Sequence, residues 1–151
     1  MSGKSPKAGA KGPKKKARRH VKRAEPQSFR ARTLAAALTV RDLTASVAWY
    51  QTVLGFVKGE EYAWNGKVGA VQLKAGAVEI VLNQDDGAKG FDRVKGEGFS
   101  LQFTTAQDID TIARWAKDTG AVLTTEPTTV PWGARMFRIT DPDGFKIVIS
   151  T

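Results

Sequence analysis

The chain has no cysteine, a single histidine and no long apolar run. Without cysteine there is no disulfide framework and no thiolate chemistry, so an ordinary reducing compartment, the cytoplasm, is the expected location. The one histidine, His20, stands among basic residues, where like charge repels a cation. It offers no metal ligand, and the rest of the chain has no imidazole for nucleophilic triads or acid-base work. No segment is long and apolar enough to span a bilayer, and no apolar stretch of a secretory signal follows the basic start. Acid is scarce in one place. Residues 1–32 hold twelve Lys or Arg against one acid, Glu25, while the other 119 residues carry twelve bases and fourteen acids. The net charge of +9 therefore comes entirely from the first 32 residues.

That segment is built of Lys, Arg, Ala, Gly, Pro and Ser and cannot bury enough apolar surface to offset the entropy of ordering. Residues 1–33 are expected to form a disordered basic tail. Its densest part, Lys14 to Arg23, suits non-specific screening of phosphates on nucleic acid or another polyanion. A solubilising extension accounts for the same composition, and the sequence leaves both readings open. A mitochondrial presequence fits less well, because the amphipathic Leu or Phe spacing is missing.

From residue 34 the pattern changes to short alternating segments and two helical ones. Leu34, Ala36, Leu38 and Val40 share one side of a strand. Asp42 or Thr44 caps a helix whose Val47, Tyr50, Val53 and Leu54 share a face, and Gly55 ends it. Strands over 56–62, 67–74 and 77–83 follow, with turn signals at Trp64-Asn-Gly66 and Ala75-Gly76. The order then repeats: a strand over 99–104, a helix over 108–117 with Ile109, Ile112, Ala113 and Ala116 on one face, and a stop at Gly120. A strand over 121–125, a loop through Pro127 and Pro131, and a hairpin turning at Asp141-Pro-Asp-Gly144 close the chain. A shift of 65 positions places Gly55 on Gly120 and Tyr50 on Trp115. Two β-α-β-β-β modules, over about 34–84 and 98–150, give an α+β domain spanning 34–151.

Helices cover one face of each sheet, so the consistently apolar parity of each strand belongs beneath them. Val78, Ile80 and Leu82 take that side, which turns Glu79 to the free face. The same test places Gln72, Ser100, Gln102, Met136, Arg138, Lys146 and Val148 there, a mixed lining common in small-molecule sites. Glu79 must meet a cation or stay hydrated. Arg138 or Lys146 supplies a structural partner, and a ligand is the alternative. Trp64 and Trp132 sit at turns, suited to stacking on a planar ligand, capping a sheet edge or packing a dimer contact. Trp49, Tyr50 and Trp115 read as core, and Arg135, in phase with Phe137 and Ile139, as structural.

The stretch from Val40 to Phe56 and the hairpin from Trp132 to Ile149 resemble the vicinal-oxygen-chelate superfamily, which includes glyoxalase I, extradiol dioxygenases and bleomycin-resistance proteins. The resemblance covers residues 34–150. It implies a curved mixed sheet around a cleft and a homodimer with shared clefts. It also implies that metal-using relatives draw ligands from the first and last strands of each module. Carried over, those positions are Ala35 and Glu79, then Ser100 (Phe99 if the register slips) and Val148. Only Glu79 can coordinate, whereas a catalytic divalent ion needs about three protein ligands. No metal, no other cofactor and no catalytic residue is expected. The branch implied is the metal-free, bleomycin-resistance-like one, sequestering a small aromatic or cationic ligand. Trp64 and Trp132 would stack on that ligand, and Glu79, Gln72, Gln102, Arg138, Met136 and Ser100 would line its cleft. A metal-dependent glyoxalase-like lyase, isomerase or dioxygenase is the enzymatic alternative, and nucleic-acid or polyanion binding through residues 1–32 is another.

Overall fold

Apolar alternation, two capped helices and tight turns build ten elements among residues 32–151, the part of the chain that the computed structural model describes. The expected basic tail and its polyanion contact lie outside the described residues, apart from Arg32 and Thr33. In the first module the order is β1 (Ala36–Val40), α1 (Leu43–Leu54), β2 (Val57–Trp64), β3 (Lys67–Ala75) and β4 (Val78–Gln84). In the second it is β5 (Ser100–Thr104), α2 (Ile109–Asp118), β6 (Leu123–Thr129), β7 (Arg135–Thr140) and β8 (Lys146–Ser150). The α+β class and the tandem modules are as the sequence indicates. The strands divide into two four-stranded sheets, ordered β1-β4-β3-β2 and β5-β8-β7-β6. β1 with β4 and β5 with β8 run parallel, and each pair is joined by a crossover that contains a helix.

Local chemistry sets the ends of α1. The Asp42 carboxylate accepts from the Ala45 backbone N–H at 2.9 Å, and Gly55 adopts the left-handed conformation, φ 69°, that lets its N–H turn back onto the last carbonyls. α2 starts the same way, with Asp108 accepting from the Thr111 N–H at 2.8 Å. One apolar cluster then forms between helices and sheets. Leu38, Val40, Leu73, Ile80 and Leu82 come from the first module, and Phe137, Ile139 and Ile147 from the second.

Three expectations are corrected. Leu34 is 94% exposed and precedes β1 instead of packing with it. Pro127 lies within β6, not in a loop. β6 is an edge strand whose register breaks between Thr125 and Thr128, which is where a residue lacking an N–H is tolerated. Trp115 is 57% exposed rather than core, and its indole N–H donates to the Thr52 carbonyl at 2.9 Å, tying α2 to α1. Trp49 is half-buried against the core, and Tyr50 is wholly buried.

The Asp141-Pro-Asp-Gly144 turn between β7 and β8 joins the modules. The buried Asp141 carboxylate accepts from the Tyr50 hydroxyl at 3.0 Å and from the N–H groups of Asp143 and Phe145 at 3.0 and 2.8 Å. Asp143 accepts from the Arg41 N–H at 2.7 Å and meets the Lys95 ammonium at 3.1 Å. Lys95, from the segment between the modules, also contacts Asp85 at the end of β4, at 2.9 Å.

Burial pushes the Asp141 carboxyl above its usual range, and burial with Asp141 beside it raises the Tyr50 hydroxyl. Hydrogen bonding from Lys95, Thr111 and Arg135, in turn, holds Asp85, Asp108 and Asp110 below theirs. The signs are opposite. A depressed carboxyl stabilises the fold above its unfolded pKa, near about 4, and that contribution fades as pH falls through the folded value. Asp141 stabilises most below about 4 and loses that contribution as pH rises to its higher folded value. With three depressed groups against one raised, stability should fall on acidification below about pH 4. Urea titrations of the parent and of Asp110→Asn check this. The variant's curve should be the flatter, and equal slopes would remove Asp110 from the account.

Candidate functional site

Among the described residues each sheet keeps one face free of helices, and alternation along the strands decides what that face displays. On the first sheet the turn after Ala75 sets the pairs Ala75 with Val78 and Lys74 with Glu79. The Gln72 amide donates to Glu79 at 3.0 Å, and the Lys74 ammonium lies 3.7 Å from the other carboxylate oxygen. On its other side, the Gln72 carbonyl oxygen accepts from the Glu60 N–H at 3.4 Å. Glu79 is thus answered within its own sheet. Neither Arg138 nor Lys146 is its partner, contrary to the sequence reading. Lys74 shares strand parity with Gln72 and so belongs to the same face.

On the second sheet the free face is organised in two rows. Ser100, Lys146 and Thr140 form one row across β5, β8 and β7. Gln102, Val148 and Arg138 form the other, extended to Thr125 on β6. Together they line a depression of about 410 Å³. Thr140 shares parity with Arg138 and was recoverable from the sequence. Thr124 and Thr125 also line it. They were hidden by the irregular register of β6, which breaks the alternation that would have placed them.

The eight residues expected to line one cleft do not converge on one pocket. Ser100, Gln102 and Arg138 share the second depression, and Gln72 and Glu79 share the first sheet's face. Met136 is buried and does not line the depression. Trp132 is 77% exposed at the turn before β7 and lines no described depression. Trp64 lies on the helix side, where its ring covers Gly69 and borders a groove of about 750 Å³ between α1 and the β2–β3 hairpin. Arg135 is structural, as expected: its guanidinium grips Asp110 on α2 through two bonds of 2.5 and 2.6 Å.

The residues at the carried-over metal positions do not fit a divalent ion. Ala35 and Val148 are apolar, Ser100 offers only a neutral hydroxyl, and Gln72 and Lys74 already occupy the Glu79 carboxylate. Among the described residues no three His, Cys, Asp or Glu side chains gather to hold a metal.

Paired β-α-β-β-β modules, each with a helix on one side and a polar-lined face on the other, define the α+β scaffold. The chain belongs to the Glyoxalase/Bleomycin resistance protein/Dioxygenase superfamily, whose sequence model matches residues 32–149. No curated protein sequence matches it. Among solved structures it is similar to a virulence protein from Salmonella typhimurium, with 26% identity over 82% of this chain and 98% of that one and a TM-score of 0.61. A protein from the mobile metagenome of V. Pseudocholerae is 25% identical over 82% and 96% of the two chains, with a TM-score of 0.63. A glyoxalase/bleomycin resistance protein/dioxygenase family enzyme from Burkholderia phytofirmans PsJN, 23% identical over 77% and 94% with a TM-score of 0.63, shares the fold. No helix among the described residues is long and apolar enough to cross a membrane.

Proposed function

We propose that this chain is a metal-free small-molecule binding protein that sequesters its ligand on the free face of the second sheet. The observation carrying this reading is the depression of about 410 Å³ lined by Ser100, Gln102 and Arg138, in which hydrogen-bonding groups converge around the apolar Val148. Such convergence orients a ligand. It supplies no set of carboxylates or imidazoles to hold a metal. Trp64 and Trp132, which line no part of this face, leave the ligand held by polar groups and by Val148 rather than between stacked aromatics.

Dialysis against EDTA should leave the melting temperature unchanged, and metal analysis of protein purified without chelator should find no stoichiometric Ni, Zn, Fe or Mn. A stoichiometric metal whose removal lowers the melting temperature would favour the lyase or dioxygenase alternative. A small-molecule thermal-shift screen of the full chain should return stabilising compounds, because a ligand that binds only the folded state shifts the unfolding equilibrium. Hits whose effect survives Arg138→Ala and Gln102→Ala unchanged would move the site elsewhere.

A further inference from the structure

The two free faces differ in charge, and the difference says what the second one binds. On the first, the only cation and the only anion opposite it across β3 and β4, Lys74 and Glu79, answer each other. On the second, β8 presents Lys146, Val148 and Ser150 where β4 presents Glu79, Val81 and Asn83, so the acid is gone and a cation stands in the row. Arg138 adds a second cation from β7. Both side chains are exposed, and among the described residues neither lies within salt-bridge distance of a carboxylate. Among the described residues no acidic side chain lines the depression.

Register fixes how the two cations stand to one another. Arg138 is opposite Val148 and Lys146 is opposite Thr140, so Arg138 and Lys146 occupy diagonal positions on the same face. Diagonal neighbours in an antiparallel pair are roughly 7–8 Å apart at Cα, a gap that two long side chains can close around one small group. Unaccompanied, they repel each other. An anion between them replaces that repulsion with two charge-assisted hydrogen bonds, and the flat guanidinium matches a carboxylate or phosphonate fork. The neutral donors Ser100, Gln102, Thr125 and Thr140 surround the same spot without competing for the cations, and Val148 offers an apolar floor.

Resting on the assignment of this face as the binding site, we infer that its ligand is a small organic anion, a carboxylate or phosphonate on an apolar body, clamped between Arg138 and Lys146. The cationic ligand expected from the resemblance does not suit this lining. An anionic ligand also accounts for the uneven faces: on the first, Lys74 answers Glu79 and Glu60 of β2 adds a further acid, whereas the second keeps its cations available.

Amide chemical-shift mapping of the full chain tests the inference with a matched series: benzoate, phenylphosphonate, benzamide and benzylamine. Benzoate and phenylphosphonate should shift the amides of Ser100, Gln102 and Val148, and benzylamine should not. Arg138→Gln and Lys146→Gln should each weaken benzoate binding about tenfold, the scale of one lost charge-assisted hydrogen bond, with spectra otherwise superimposable on the parent. Both substitutions leave the basic N-terminal segment untouched, so any anion bound there does not contribute to the difference. If benzamide and benzylamine shift the same amides as strongly as benzoate, the anion inference fails while the face stands as the site. If benzoate shifts only N-terminal amides, or its affinity ignores both substitutions, the inference fails as well. If no member of the series perturbs this face, the inference and the site fall together.

Discussion

Tyr50→Ala should cost about 3–5 kcal/mol of stability, the largest loss expected from any single side chain here. The ring is wholly buried and packs edge-on against Trp49 and Phe56, with centroids 5.0 and 5.6 Å away. Truncation leaves a cavity at the junction of α1 with both modules and also strands the Asp141 carboxylate that accepts the hydroxyl. Tyr50→Phe separates the two contributions, since it keeps the ring and removes only the hydrogen bond, at about 1–3 kcal/mol. Urea denaturation of the three proteins measures both. Equal losses in the two variants would assign the effect to the hydrogen bond and refute the packing account.

Asp141→Ala ranks second, at about 3 kcal/mol or more, because three donors lose one acceptor. The Tyr50 hydroxyl and the N–H groups of Asp143 and Phe145 all end on this carboxylate, in a turn where little water can replace it. Asp141→Asn keeps an acceptor oxygen and removes the charge that burial makes costly, so it should lose much less than the alanine variant. The two variants would be expected to behave alike only if the turn opened to solvent and hydrated its own donors. Combining Asp141→Ala with Tyr50→Phe should cost less than the sum of the single changes, since both remove the same bond.

The core was legible in the sequence because alternation reports which side of a strand is buried, and the caps at Asp42 and Gly55 report where a helix begins and ends. Partners across a sheet were harder, because they depend on register. The register was nevertheless partly available. A two-residue loop at Gly76 and Ala77 forces Lys74 opposite Glu79, and a two-residue loop at Asn65 and Gly66, both at positive φ, forces Trp64 opposite Lys67. Lys67 shares parity with Val71 and Leu73, which are buried beneath the helix, so Trp64 belongs on that side and not in the cleft. Neither deduction survives if turns are used only as boundaries. Trp115 departs from the repeat for another reason. Superposing the modules puts it on Tyr50, but the acceptor that justifies burying Tyr50 is an aspartate from the other module, and Trp115 instead donates outward to a helix carbonyl. The faces were legible; their charge balance emerged only once each cation had been matched with its neighbours.

The turn that carries Asp141 also bears on how such a chain can be taken apart. The halves look like copies of one motif, yet the first contains a hydroxyl whose acceptor is supplied by the second, and the second contains an aspartate whose cation, Lys95, comes from the segment joining them. Expressed alone, residues 34–84 would lack the carboxylate that accepts the Tyr50 hydrogen bond. The repeat is therefore a feature of shape, and its two halves share polar partners within one compact unit.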